Sequence, residues 1–188
     1  MLVFIVIFCV IIALGFGLAS SWSDFRGLTI SNIYPLGILV SFIPAYLLVT
    51  LMVPDVDYFF HWKSHLIAFG AVFAFTFLLF SLNMIGAADS KLAAVYALWV
   101  GLNGLFPFIV CMALTGGVLG LIALALKKWK PVKSPHEGGW VAKSQAGISA
   151  VPYGIAITAG AFAAFAKVGY TDPDKLSDLA TLLSSASF

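Results

Sequence analysis

The sequence predicts an all-α polytopic membrane protein of about six transmembrane helices, with both the N-terminus and the C-terminus outside. Of its 188 residues, 62% are hydrophobic and only 10% charged, against about a quarter charged in soluble domains. Mean hydropathy is +1.06. So little polar surface cannot cover a globule in water, and the solvent must be lipid. The apolar residues also fall into stretches near the ~20 residues that cross a ~30 Å hydrocarbon core. Finally, Lys and Arg concentrate in alternate loops, as expected when one side of a membrane retains them.

The first stretch, 2–20, sits where a signal peptide would. It lacks a basic start and runs into Trp22, Asp24 and Arg26 rather than a cleavage site, so it reads as a true span. The second, 30–53, carries Pro35 and Pro44 and should kink. The third covers 65–83. The fourth, 88–102, is short and is parted from the fifth, 105–126, only by Gly101, Leu102, Asn103 and Gly104. The sixth covers 148–167. Together, residues 1–167 form the predicted six-helix domain, and 168–188 a polar tail outside the cytoplasm.

The loops after spans one, three and five hold Arg26, then Lys91, then Lys127, Lys128, Lys130, Lys133 and Lys143. The opposite side holds Lys63, Lys167 and Lys175. This asymmetry places the odd-numbered loops in the cytoplasm. The basic loop 127–147 contains Pro131, Pro135, Gly138 and Gly139, which break helices, and its lysines read as headgroup-facing anchors. Trp22, Trp62, Trp129 and Trp140 lie near span ends, where interfacial anchoring is the default. A net charge of +2 gives no reason to expect nucleic acid. Cys9 and Cys111 sit alone in apolar runs, and His61, His65 and His136 do not make a metal set, so neither metal nor cofactor is expected. Oligomeric state is not legible.

Ionisable groups near a membrane are costly, so each of the eight acids is informative. Asp55 and Asp57 share an outer loop, Glu137 lies in the basic loop, and Asp172, Asp174 and Asp178 fall in the tail; all six read as solvated. Asp24, just past span one, and Asp89, at the start of span four, remain, and the loop count puts them on one cytoplasmic side. On spacing alone each could be an interfacial residue paired with a nearby base, Asp24 with Arg26 and Asp89 with Lys91. If they meet, one carboxylate keeps a proton while the other activates water, which is the chemistry of amide hydrolysis without metal.

Asp89 follows Gly86, Ala87 and Ala88, three small residues that let another helix or an extended backbone approach closely. The run from Gly86 to Leu92 resembles the GxGD signature of intramembrane aspartyl proteases, in the GxGDxKL form of prepilin peptidases. Asp24, Phe25, Arg26, Gly27, Leu28, Thr29, Ile30, Ser31 and Asn32 resemble the same family's first motif, an Asp and Arg followed by Ile, Pro and Asn. Val151 to Ile157 resemble the Pro-Tyr-Gly-hydrophobic-Ala run of short members related to the tight-adherence pilus-assembly peptidases. Three motifs in this order on a six-span plan are more specific than any one alone. Ala88 stands where the signature has Gly, and Ser31 where the first motif has Pro. A left-handed backbone at position 88 would be strained by the alanine Cβ.

The resemblance implies a membrane aspartyl endopeptidase of the bacterial inner (cytoplasmic) membrane that cuts the leader from type IV prepilins or pseudopilins at the cytoplasmic face. Asp24 and Asp89 would be catalytic, and Gly86, Ala87, Ala88, Asn32 and Lys91 would face substrate. The cysteine-rich zinc loop and N-methylating activity of larger members should be absent. Two other readings stay open: an inactive scaffold of a pilus or secretion machine, and a small proton-linked transporter component using the two acids as a relay.

Overall fold

A computed structural model describes residues 2–53, 58–59, 61–148 and 150–185. Asp55 and Asp57 lie outside the described residues. The elements are α1 (Leu2–Gly27), α2 (Ile33–Met52), α3 (Trp62–Ser81), α4 (Ala87–Trp129), α5 (Trp140–Gln145), α6 (Tyr153–Val168) and α7 (Pro173–Ser185). The described secondary structure is all helical. Four helices, α1 to α4, are long and apolar enough to cross a membrane, and α6 with α7 passes the same test as a pair bent by 62°.

α1 runs further than its apolar stretch, to Gly27, so Asp24 lies in its last helical turn rather than beyond it. The polar residues Ser20, Ser21, Ser23 and Asp24 do not stop the helix, because it is held along its side by other helices. Leu28 closes it at φ 54, its N–H bonding Asp24 O at 2.8 Å. Lys143 of α5 donates to Gly27 O at 3.0 Å, placing a cation where the helix dipole is negative. In α2, Pro35 falls in the first turn, where no intrahelical donor is needed, so only Pro44 is interior.

The predicted fourth and fifth spans form one continuous assignment of 43 residues, interrupted at Gly101 (φ 59, ψ −170). Only glycine adopts that conformation without strain. A straight helix would hold Asp89 and Ile109 about 30 Å apart at 1.5 Å per residue. Both instead line one cavity, so the chain doubles back and its two arms lie side by side. The donor freed by the break is satisfied from α3, as Leu102 N–H bonds Ser64 Oγ at 2.9 Å.

The core is built on small residues that bring helices close, including Ala13, Ala45, Ala97, Ala161 and Ala164, all fully buried. Tyr96 Oη donates to Ala13 O at 2.8 Å and Trp99 Nε1 to Ile38 O at 2.9 Å, so both large rings bury with their polar atoms paired. Large apolar side chains such as Phe8, Leu51, Phe75, Phe106 and Leu121 face outward, as lipid requires.

Three expectations change. The basic loop is not wholly irregular: α4 continues through Lys127 and Lys128, and α5 forms within it once Gly138 (φ 75) has turned the chain. Trp140 is not an interfacial anchor. It is buried with Leu119, Ala123 and Ala156, and its Nε1 donates to Ala150 O at 2.9 Å, whereas Trp22, Trp62 and Trp129 are more than half exposed. The tail is polar on one face only. α7 packs against α1 and buries Leu179 and Leu183 in the main core, with Asp172 capping it through Asp174 N–H at 3.0 Å.

Candidate active site

Asp24 is 5% exposed. It faces the start of α6, where Gly154 N–H donates to its Oδ2 at 2.8 Å. That donor is available because the first amides of a helix lack intrahelical acceptors, and the N-cap, Pro152, provides no side-chain bond. Glycine is needed there for space. A Cβ on residue 154 would stand 3.1 Å from Asp24 Oδ2, 3.3 Å from Asp24 Cβ and 3.0 Å from Ile30 Cδ1.

Asp89 occupies the third position of α4 and accepts from Gly86 N–H at 3.1 Å, the reciprocal half of a capping box. A Cβ on Gly86 would lie 2.8 Å from Asp89 Oδ2, closer than real Cβ contacts come. This gives the small residue at 86 a local reason: it admits the carboxylate. Ala88 lies within α4 and does not take a positive φ, so the strain considered for that position does not arise.

The carboxyl of Asp89 opens into a cavity of roughly 180 Å3 whose other walls include Thr76 and Leu79 of α3, Ile109 and Met112 of α4, and Tyr153 and Ile157 of α6. Tyr153 precedes the glycine that grips Asp24, so the start of α6 stands between the two acids. Asp24 and Asp89 are thus served by adjacent residues of α6: the Gly154 N–H bonds the first, and Tyr153 lines the cavity that the second borders. The fold therefore brings together carboxylates separated by 65 residues of chain. Behind the cavity wall, Thr76 and Ser90 join hydroxyls at 2.7 Å.

The other predicted site residues divide. Lys91 donates from Nζ to Asn32 Oδ1 at 3.0 Å, tying the starts of α4 and α2 together. Arg26 lies 5.2 Å from the Trp22 ring centre, a cation–π arrangement. Neither base is spent in the local pairing that spacing alone allowed. Ala87 is exposed and Ala88 half-buried beside Asp89. Among the described residues no three His, Cys, Asp or Glu are grouped to hold a metal. His65 is buried, its Nδ1 2.6 Å from Leu98 O, and His61 caps α3. Sequence reading missed the roles of Gly154 and Tyr153. The Pro-Tyr-Gly run was the available signal, but its partner in space lies 130 residues away.

The described fold is that of a polytopic helical protein with helices long and apolar enough to cross a membrane, with Asp89 bordering a small, mostly apolar cavity and Asp24 held at the helix start beside it. The model of the type IV leader peptidase family matches residues 3–121, and the chain belongs to that family. The match spans both Asp24 and Asp89 and stops short of Tyr153 and Gly154. No curated protein and no solved structure matches the chain. Membership makes the protein a peptidase of the prepilin-processing type, embedded in the membrane by its apolar helices.

Proposed function

We propose that the protein is a membrane aspartyl endopeptidase that removes the leader from type IV prepilins or pseudopilins at the cytoplasmic face of the bacterial inner membrane. The observation that carries this reading is the convergence of Asp24 and Asp89 on the start of α6, at Gly154 and Tyr153, in a chain of this family. The ionised carboxylate takes a proton from water as the water oxygen attacks the scissile carbonyl carbon. The protonated carboxyl hydrogen-bonds the carbonyl oxygen and stabilises the charge that develops there. Collapse of the tetrahedral intermediate breaks the C–N bond, and a proton passes to the leaving nitrogen. Water is consumed and each carboxyl is returned for the next cycle. The scissile amide would lie along Gly86, Ala87 and Ala88, with Asn32 and Lys91 at the edge.

The doubling back of α4 at Gly101 favours counting its arms as separate spans, which makes six with α1, α2, α3 and α6. On that plan both acids and the basic loop lie at one end, in the cytoplasm. A relay across the bilayer would put its acids near the midplane, not together at one end. The test is cleavage of a candidate prepilin by the purified protein. A product shortened at the leader junction supports the reading; an intact prepilin, with the protein folded and in lipid, refutes it.

A further inference from the structure

The seam between α1 and α6 carries hydroxyl groups that the proposed chemistry does not use. Ser21 and Asp24 are three residues apart, so they share one face of α1. Both reach the same residue of α6. Asp24 accepts the Gly154 N–H at 2.8 Å, and Ser21 Oγ lies 3.1 Å from the Gly154 carbonyl oxygen. Ser21 Oγ is also 2.9 Å from Thr158 Oγ1 and 2.9 Å from Gly17 O, while Thr158 Oγ1 donates to Gly17 O at 3.0 Å. Thr158 is 3% exposed. The seam is close because position 17 has no side chain: a Cβ there would collide with the Tyr96 hydroxyl and stand 3.0 Å from Thr158 Cγ2.

We propose that Ser21 and Thr158 are positioning residues that clamp the start of α6 to α1 and so hold Asp24 in its working orientation through Gly154. The inference rests on the proposed role of Asp24. The Gly154 N–H is the only hydrogen-bond partner seen for the Asp24 carboxyl among the described residues, and the Gly154 carbonyl oxygen is one of three acceptors, with Thr158 Oγ1 and Gly17 O, that share the single Ser21 hydroxyl proton. Loosening the hydroxyl end shifts the amide that aims the carboxylate. The same shift moves Tyr153, the preceding residue, which lines the cavity beside Asp89. Neither hydroxyl touches the reacting atoms, so the effect falls on turnover rather than on substrate binding.

The test uses the full-length protein in lipid vesicles with a prepilin substrate. Ser21→Ala and Thr158→Val, the second nearly isosteric, are expected to lower kcat about tenfold, as a displaced reacting group does, with KM within about twofold. Thr158→Ser, which keeps the hydroxyl, should retain most activity. A kcat per folded molecule unchanged in Ser21→Ala and Thr158→Val, or one that falls equally in Thr158→Ser, overturns the clamp. The infrared carboxyl bands of Asp24, identified by their loss in Asp24→Asn, read the same contact without turnover. They should shift in Ser21→Ala and Thr158→Val, and unmoved bands overturn the clamp. If the wild type cuts no prepilin, the proposed function fails, and the infrared comparison still decides whether the clamp exists.

Discussion

Replacing Asp24 with Asn isolates its proton chemistry from its structural contact. The side-chain amide oxygen introduced by Asp24→Asn can still accept the Gly154 N–H now held at 2.8 Å. A charge-assisted hydrogen bond becomes a neutral one, a loss of about 1 kcal/mol. Against a total stability of roughly 5–15 kcal/mol, Asp24→Asn should insert and fold normally. The chemical cost is far larger, because an amide carries no acid proton and general acid–base catalysis contributes about a hundred- to ten-thousand-fold. Asp89→Asn follows the same logic, with its oxygen still able to cap Gly86 N–H at 3.1 Å. Each variant should lose at least about a thousandfold in leader cleavage, and combining them should cost little more, since residues acting as one unit are non-additive. The assay is the mobility shift of a prepilin incubated with membranes at matched expression. Asp55→Asn, Asp57→Asn and Glu137→Gln serve as controls and should stay close to wild type. Cleavage near the wild-type rate by either Asp24→Asn or Asp89→Asn would refute the paired-carboxylate mechanism.

Three further outcomes are expected. Reporters fused after Lys130 should lie in the cytoplasm and those after Asp172 outside; the reverse would remove the shared cytoplasmic placement of the two acids. Gly86→Ala should lower cleavage by about tenfold or more, because its Cβ would come within 2.8 Å of Asp89 Oδ2 and displace a catalytic group. Ala88→Gly should leave cleavage within about threefold, since helical residue 88 needs no glycine conformation and the substitution costs at most about 1 kcal/mol of helix stability. A near-wild-type Gly86→Ala, or an inactive but folded Ala88→Gly, would overturn the account of that turn.

The apolar character, the helical class and the two acids singled out for the proposed chemistry were legible in the chain before any fold was known. Each of these rests on composition or on contacts within one turn. A chain with 10% charged residues has few acids to weigh, and Gly86 meets Asp89 only three residues away. What lies across the chain emerged only from the packed helices. Gly101 and Gly104 marked a divide between two apolar runs, but the sharp turn at Gly101 itself, with φ 59 and the freed Leu102 amide received by Ser64 on α3, was not legible. Trp140 followed the pattern of an anchor, yet α4 and α6 offer it a pocket and the connection before α6 a carbonyl, Ala150 O. Leu179 and Leu183 read as part of a polar tail until α1 supplied the surface that buries them. Likewise, the amide that grips Asp24 comes from a helix 130 residues on. Local periodicity and turn chemistry act over a few residues and are written in the chain, whereas a contact between distant helices depends on which faces pack together, and that choice is made only when the whole bundle closes.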